Sequence, residues 1–286
     1  MSGSSELEGE IARRFFDDGY YFPVDVLTRD EVAAHRGQLE LLQPKFRHLN
    51  LGNNGQVYYP HVICQFANQI AHHSRLLEVV QILLGPDVFV WSSALFIKEP
   101  HTESYVSWHQ DMRYFGLDDV DGQVNAWVAL GPVTIESGCL RFVPRSHKAN
   151  LLPHRDTFDP ANVLSRGQTA DVEISDDDAI HVALEPGQAS FHHGNLLHAS
   201  SPNRSGERRI GLSINYVAAH VRQVVAKEDF GMLVLGSDRF GHFQHVPRPS
   251  ADMTPESMMW HRRILDAQNN AMLNGIPFSR KVQRIA

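Results

Sequence analysis

The sequence predicts a mainly β fold with helices packed outside it, in one domain over residues 1–286: a helical N-terminal layer over about 6–85, a β core over about 86–220, and a C-terminal helical extension over about 221–286. Three observations predict this. Apolar residues with helical spacing concentrate before Gly85-Pro86. After that point, short β-branched and aromatic runs succeed one another with turn residues between them, the pattern of a sandwich or barrel. No linker, repeat or low-complexity tract divides the chain.

Residues 6–18 place Ile11, Phe15 and Phe16 on one side of a helix, and Gly19 is a C′ stop. Residues 20–24 read as a short strand. Thr28 with Glu31 three positions on makes a capping box for a second helix running to about Leu42. The Pro-, Asn- and Gly-rich stretch 43–56 reads as a loop, and residues 74–84 as a third helix ended by Gly85. Strands are predicted over 88–97, 105–108, 123–130, 140–143, 189–192 and 209–217. The polar, acidic stretch 151–178 reads as an inserted loop or lid. Residues 254–270, opened by Thr254-Pro255, read as a late helix. The residues after Phe230 read as a cover for the active site or a homodimer contact.

Composition excludes several classes of function. A net charge of −7 with scattered basic residues argues against nucleic acid, which needs a basic patch. Two cysteines, Cys64 and Cys139, are too few for a disulfide framework or a Cys-rich zinc site. The polar start MSGSSELEGEIARR is not a signal peptide, and no apolar run approaches the roughly 20 residues of a membrane span. The expected compartment is the cytoplasm, and the expected partner a small-molecule substrate.

With 17 histidines, one histidine means little, so arrangement decides. Trp108-His109-Gln110-Asp111 closes a predicted strand, where residues i and i+2 share a face. His109 and Asp111 therefore supply two-thirds of the 2-His-1-carboxylate triad that binds non-haem Fe(II) and leaves three positions open. A third ligand must come from a distant strand, and His192, His193 and His198 are the candidates. His198 is chosen because the next strand opens on an arginine, Arg209. In the strand from Arg209 to Tyr216, Ile210, Leu212, Ile214 and Tyr216 form an apolar face, whereas Arg209, Gly211, Ser213 and Asn215 form a small, polar one. Arg209 lies in the inward polar phase, and Arg208 in the other phase or outside the strand. A planar guanidinium in that interior suits a carboxylate. His192 and His193 read as neighbours of the triad. Lys98, Arg141 and Arg145 read as salt-bridged surface residues, and the aromatics around residues 58–59, 91, 105 and 114–115 as mostly core.

Taken together, Tyr105-Val-Ser-Trp-His-Gln-Asp111, Glu136-Ser-Gly-Cys-Leu-Arg-Phe-Val-Pro-Arg-Ser-His147, His198-Ala-Ser200 and Arg209 resemble the phytanoyl-CoA dioxygenase family over roughly residues 10–220. The resemblance implies a double-stranded β-helix (jelly roll, cupin-like) core. It implies Fe(II) on His109, Asp111 and His198, with 2-oxoglutarate as co-substrate and O2 as oxidant. It places the far carboxylate of 2-oxoglutarate on Arg209 with Ser200, near Trp127, and lets Gln56 or His61 stand where the family often has an upstream basic residue. Related halogenases carry Gly or Ala at the carboxylate position, so Asp111 implies hydroxylation. The expected reaction hydroxylates an aliphatic C–H of a small polar molecule, such as an aminoalkylphosphonate, with release of succinate and CO2. Desaturation or epimerisation on the same iron and a non-catalytic cupin-like binding module are the alternatives.

Overall fold

A computed structural model describes residues 2–272 except 50, 53, 54 and 165. The Asn residues of the predicted loop at 50, 53 and 54, and the end of the C-terminal extension, lie outside the described residues. Helix α1 (Ser2–Asp18) stops at Gly19, whose φ of +89° breaks the helical path, and leads into β1 (Tyr20–Asp25). Helix α2 (Arg29–His48) opens on the predicted box: Thr28 N–H donates to Glu31 Oε2 at 2.7 Å, and Glu31 N–H to Thr28 Oγ1 at 3.3 Å. It runs six residues beyond the expected end at Leu42, straight through Pro44. Proline removes only its own donor and crowds one carbonyl a turn earlier; burial of Leu39, Leu42 and Phe46 on one stripe outweighs that.

Next come β2 (Gln56–Tyr58), two short helices missed in the sequence, α3 (Pro60–Ile63) and α4 (Gln65–Ala71), and then α5 (Ser74–Leu84) as predicted. The core strands come after it: β3 (Val88–Lys98), β4 (Val106–His109), β5 (Gln123–Ala129) and β6 (Leu140–Phe142), with the one-turn helix α6 (Met112–Phe115) after β4. The expected lid is largely irregular but carries a hairpin of β7 (His154–Asp156) and β8 (Gln168–Ala170). It leads to β9 (Ile180–Val182), β10 (Gln188–His193), β11 (His198–Ser200) and β12 (Arg209–Ala218). The C-terminal extension is not wholly helical. Strands β13 (Phe230–Leu235) and β14 (Gln244–His245) join the β core before α7 (Pro255–Met272), because Phe230 and Met232 bury against it.

The major sheet has the order β1-β10-β5-β12-β3-β13-β14, with β2 on the outer edge of β3. The minor sheet has the order β4-β11-β6-β9. The two make the double-stranded β-helix. One face of the major sheet carries Ile210, Leu212, Ile214, Leu95, Ile97, Ala126 and Val128, all buried with residues of α1–α5 in the main core. The opposite face, turned to the minor sheet, carries Arg209, Gly211, Ser213, Trp127, Asn125 and His192, with Ser213 paired to Trp127 and His192 to Asn125. Alternation along β12 thus separates an apolar helix-packing side from a polar interior, as the sequence predicts. Among the described residues no helix is long and apolar enough to cross a membrane.

Candidate metal centre

Three side chains converge between the sheets. His198 lies directly opposite His109 in the antiparallel pair β11–β4, and their ring centroids are 4.1 Å apart. The chain then turns out of β4, so that Asp111 precedes α6 with helical φ and ψ and presents its carboxylate to both rings. Asp111 Oδ1 lies 3.3 Å from His109 Nε2 and 3.8 Å from His198 Nε2. One ligand atom from each of the three falls within 4.8 Å of the others, and this is the one such His/Cys/Asp/Glu group among the described residues.

Hydrogen bonding aims both rings. Nδ1 of His109 lies 2.9 Å from Ser107 O and 3.1 Å from His198 O, and Nδ1 of His198 lies 2.9 Å from Leu196 O. Carbonyls only accept, so Nδ1 carries the proton in each ring and Nε2 offers its lone pair toward Asp111. Burial, reinforced by His109, pushes His198 down to about 4, so it is neutral near pH 7. Burial alone would raise the Asp111 carboxyl, but the imidazoles of His198 and His109 outweigh it and hold Asp111 below the usual carboxylate range. Asn125, which the sequence reading did not single out, donates from Nδ2 to Asp111 Oδ2 at 3.4 Å and accepts from Ser213 Oγ at 3.0 Å. His192 is fully buried at the edge of the cluster, 4.0 Å from Asp111 Oδ2, and neither ring nitrogen has a hydrogen-bond partner. His193 instead bonds Asp121 at 3.0 Å, away from the cluster.

Arg209 opens β12 with only 1% of its surface exposed, and its guanidinium lies 5.2 Å over the Trp127 ring. The ring fits there because residue 211 is glycine: a Cβ would stand 1.8 Å from Trp127 Cζ2. Among the described residues no acid acts on Arg209, and burial lowers it to about 10. The preceding arginine goes the other way, with Arg208 Nε 2.9 Å from Glu99 and its Nη2 donating to Gln43 Oε1. Lys98, expected at the surface in a salt bridge, is 3% exposed and sits directly opposite Arg209 in the β3–β12 register. Its Nζ donates to Ser200 Oγ at 2.8 Å and to the Ser201 carbonyl, linking the sheets. Trp127 thus lies at Arg209, and Ser200 comes to that end through Lys98. His61 does not. It bonds Ser93 Oγ at 2.6 Å, and Ser93 pairs with Ile214 on the helix-packed face. Pro60 starts α3 there, so the chain leaves the sheet before His61 can turn inward. Gln56 shares the interior face but stands on β2, across β3 from β12, with its Oε1 accepting from Tyr58 Oη at 2.5 Å.

Two imidazoles and one carboxylate suit a divalent first-row metal with open positions. Beside them, a buried guanidinium without an acid partner suits an incoming carboxylate. Fold and site define a class. The profile of the phytanoyl-CoA dioxygenase (PhyH) family matches residues 15–211, and the chain belongs to this family. A probable phytanoyl-CoA dioxygenase of Caenorhabditis elegans is 31% identical over 147 residues, which is 49% of this chain and 47% of that protein. The chain thus matches about half the length of such relatives. A probable alpha-ketoglutarate-dependent hypophosphite dioxygenase of Stutzerimonas stutzeri is 24% identical over 239 residues, covering 78% of this chain and 82% of that protein. Among solved structures, the apo form of the non-heme monooxygenase ThoJ matches with a TM-score of 0.81 at 31% identity, over 92% of this chain and 97% of that one.

Proposed function

We propose that the chain is an Fe(II)- and 2-oxoglutarate-dependent dioxygenase that hydroxylates an aliphatic C–H of a small polar molecule. His109, Asp111 and His198 hold the iron, and Arg209 with Ser200 holds the far carboxylate of 2-oxoglutarate. The observation that carries this reading is the pairing of the His109–Asp111–His198 cluster with a buried Arg209 that has no acid of its own. When bound, ferrous iron and 2-oxoglutarate supply an oxidant for an unactivated C–H, with succinate and CO2 as by-products.

The chain's own residues prepare the site. Ser107 O and Leu196 O fix the two imidazoles with Nε2 free, and Asn125 orients the carboxylate between them. Trp127 braces the guanidinium, which is almost fully buried beside it. The interior face is rich in amides: Gln123 Nε2 donates to Asn215 Oδ1 at 2.7 Å, and Asn215 Nδ2 to Ser92 Oγ at 2.9 Å. That wall supports a polar substrate over a purely hydrocarbon one.

The test is an anaerobic titration of the Fe(II) protein with 2-oxoglutarate. A visible metal-to-ligand band should appear and should shift when the right substrate enters. A substrate screen starts with aminoalkylphosphonates, because a relative is named for a phosphorus oxyanion, and extends to amino acids. Product mass then reports a gain of one oxygen for hydroxylation. No band at saturating iron and 2-oxoglutarate would end the reading, and loss of two hydrogens would replace hydroxylation by desaturation.

A further inference from the structure

We propose that Lys98 is a positioning residue for the co-substrate: its ammonium donates to Ser200 Oγ and so commits the Ser200 hydroxyl proton to the carboxylate held by Arg209. The inference rests on the 2-oxoglutarate reading of the pocket.

Cross-strand pairing sends the side chains of Lys98 and Arg209 off the same face of the major sheet. Both are almost fully buried, at 3% and 1% exposure. Lys98 faces Arg209 from β12, Cys139 from the turn before β6, and Ser200 and Ser201 from β11 and the turn after it. None of these is a carboxylate, and no carboxylate of the described residues acts on Lys98 or Arg209. A buried guanidinium beside a buried lysine, neither with a carboxylate of its own, makes a cradle that a dicarboxylate completes.

The Ser200 hydroxyl has one proton and can accept as well as donate. While Lys98 is an ammonium, it can only donate to Ser200 Oγ, so the hydroxyl proton must go elsewhere, and the carboxylate beside Arg209 is the acceptor it would find. While Lys98 is a neutral amine, its lone pair can take that proton instead. Burial, with Arg209 adding to it, lowers Lys98 to about 5. At pH 7.5 the amine therefore predominates until a dianion arrives and favours the ammonium. Co-substrate binding should take up a proton, and this sets the hydroxyl in its donating direction.

Calorimetry of 2-oxoglutarate binding to the anaerobic Fe(II) protein, in two buffers of different ionisation enthalpy at pH 7.5, tests this. The parent protein should take up a large fraction of one proton per ligand bound. Lys98→Met should lose the uptake and raise the Kd by roughly tenfold or more, the loss of one hydrogen bond to a charged group. Ser200→Ala should raise the Kd comparably, and the double variant should bind little worse than either single one. An unchanged Kd in Lys98→Met, additive effects in the double variant, or a parent that binds without proton uptake would overturn the proposal while leaving the enzyme reading intact. If Lys98→Met does not fold, proton uptake by the parent and the Kd of Ser200→Ala still decide: absence of uptake or an unchanged Kd overturns it. A parent that binds no 2-oxoglutarate at all removes the function reading, and this inference with it.

Discussion

His198 is held at both ends, by Leu196 O on Nδ1 and by the cluster on Nε2. His198→Ala should therefore abolish the visible band of the iron–2-oxoglutarate complex; if the band persists and His192→Ala removes it, the third ligand is wrongly assigned. Gly211 matters through absence. Gly211→Ala would drive a methyl into the Trp127 ring, which would have to leave its place under Arg209. The expected cost is about 1–3 kcal/mol of stability, the range for overpacking, with a raised KM for 2-oxoglutarate. Denaturant unfolding and steady-state kinetics check the two parts, and a fully parental KM would show that Trp127 does not support the guanidinium. The pairing of His109 with Asp111 and the inward phase of Arg209 were legible because their signals are local, a two-residue spacing and strict alternation along one strand, whereas His198 was reached only through Arg209. Lys98 was not. A lysine at a strand end is normally solvated, and only the long-range register with Arg209 and the contact with Ser200 bury it.

Among the elements, the strand β13 and helix α7 were the least legible from sequence as parts of the core, and they enclose an acid. Asp229 is 5% exposed, accepts from Trp91 Nε1 at 2.9 Å on both oxygens, and is pushed up to about 7 by burial. Its folded value lies above its unfolded value, so the folded state binds the extra proton. The stability this brings is full below the ordinary carboxylate range and is lost as pH rises through about 7. Asp229→Asn keeps an acceptor for the indole and removes the titration. Relative to the parent it should gain stability as pH rises from the ordinary carboxylate range to about 7, at up to about 1.4 kcal/mol per pH unit, and hold that gain above pH 7. Thermal melts at pH 6 and pH 8.5 measure this, and a parent–variant difference that does not grow with pH would refute it. Helix α2 shows the opposite limit of local reading. Pro44 predicts a stop, but the tertiary burial of Phe46 carries the helix past it. Strand phase was readable, whereas His61 was lost to the wrong face because nothing local announces that Pro60 begins a helix.

At the scale of the molecule, the candidate ligands come from β4, the start of α6 and β11, so a bound metal ties the minor sheet to the turn after β4. A metal that binds only the folded chain stabilises it by mass action, by about 2.7 kcal/mol at a hundredfold excess over Kd. For a chain of this size that is on the order of 5 °C in Tm. Anaerobic Fe(II) should produce such a shift, a chelator should reverse it, and His198→Ala should not show it; an equal shift in that variant would place the metal elsewhere. The general architecture was readable from where helical spacing gives way to alternation, while the sheet order was not, because strand neighbours are set by contacts distant in sequence. The adjacent arginines at the head of β12 carry a final implication. Arg208 points outward to Glu99 and Gln43, and Arg209 inward to Trp127. Sliding that strand by a single step would either push the Arg209 guanidinium among core aliphatics at the place of Ile210, or turn it outward to the place of Arg208 and leave Ile210 in the anion cradle. The same pair that equips the pocket therefore also proofreads the alignment of the longest ladder in the protein, and a misthreaded chain would be both unstable and inert.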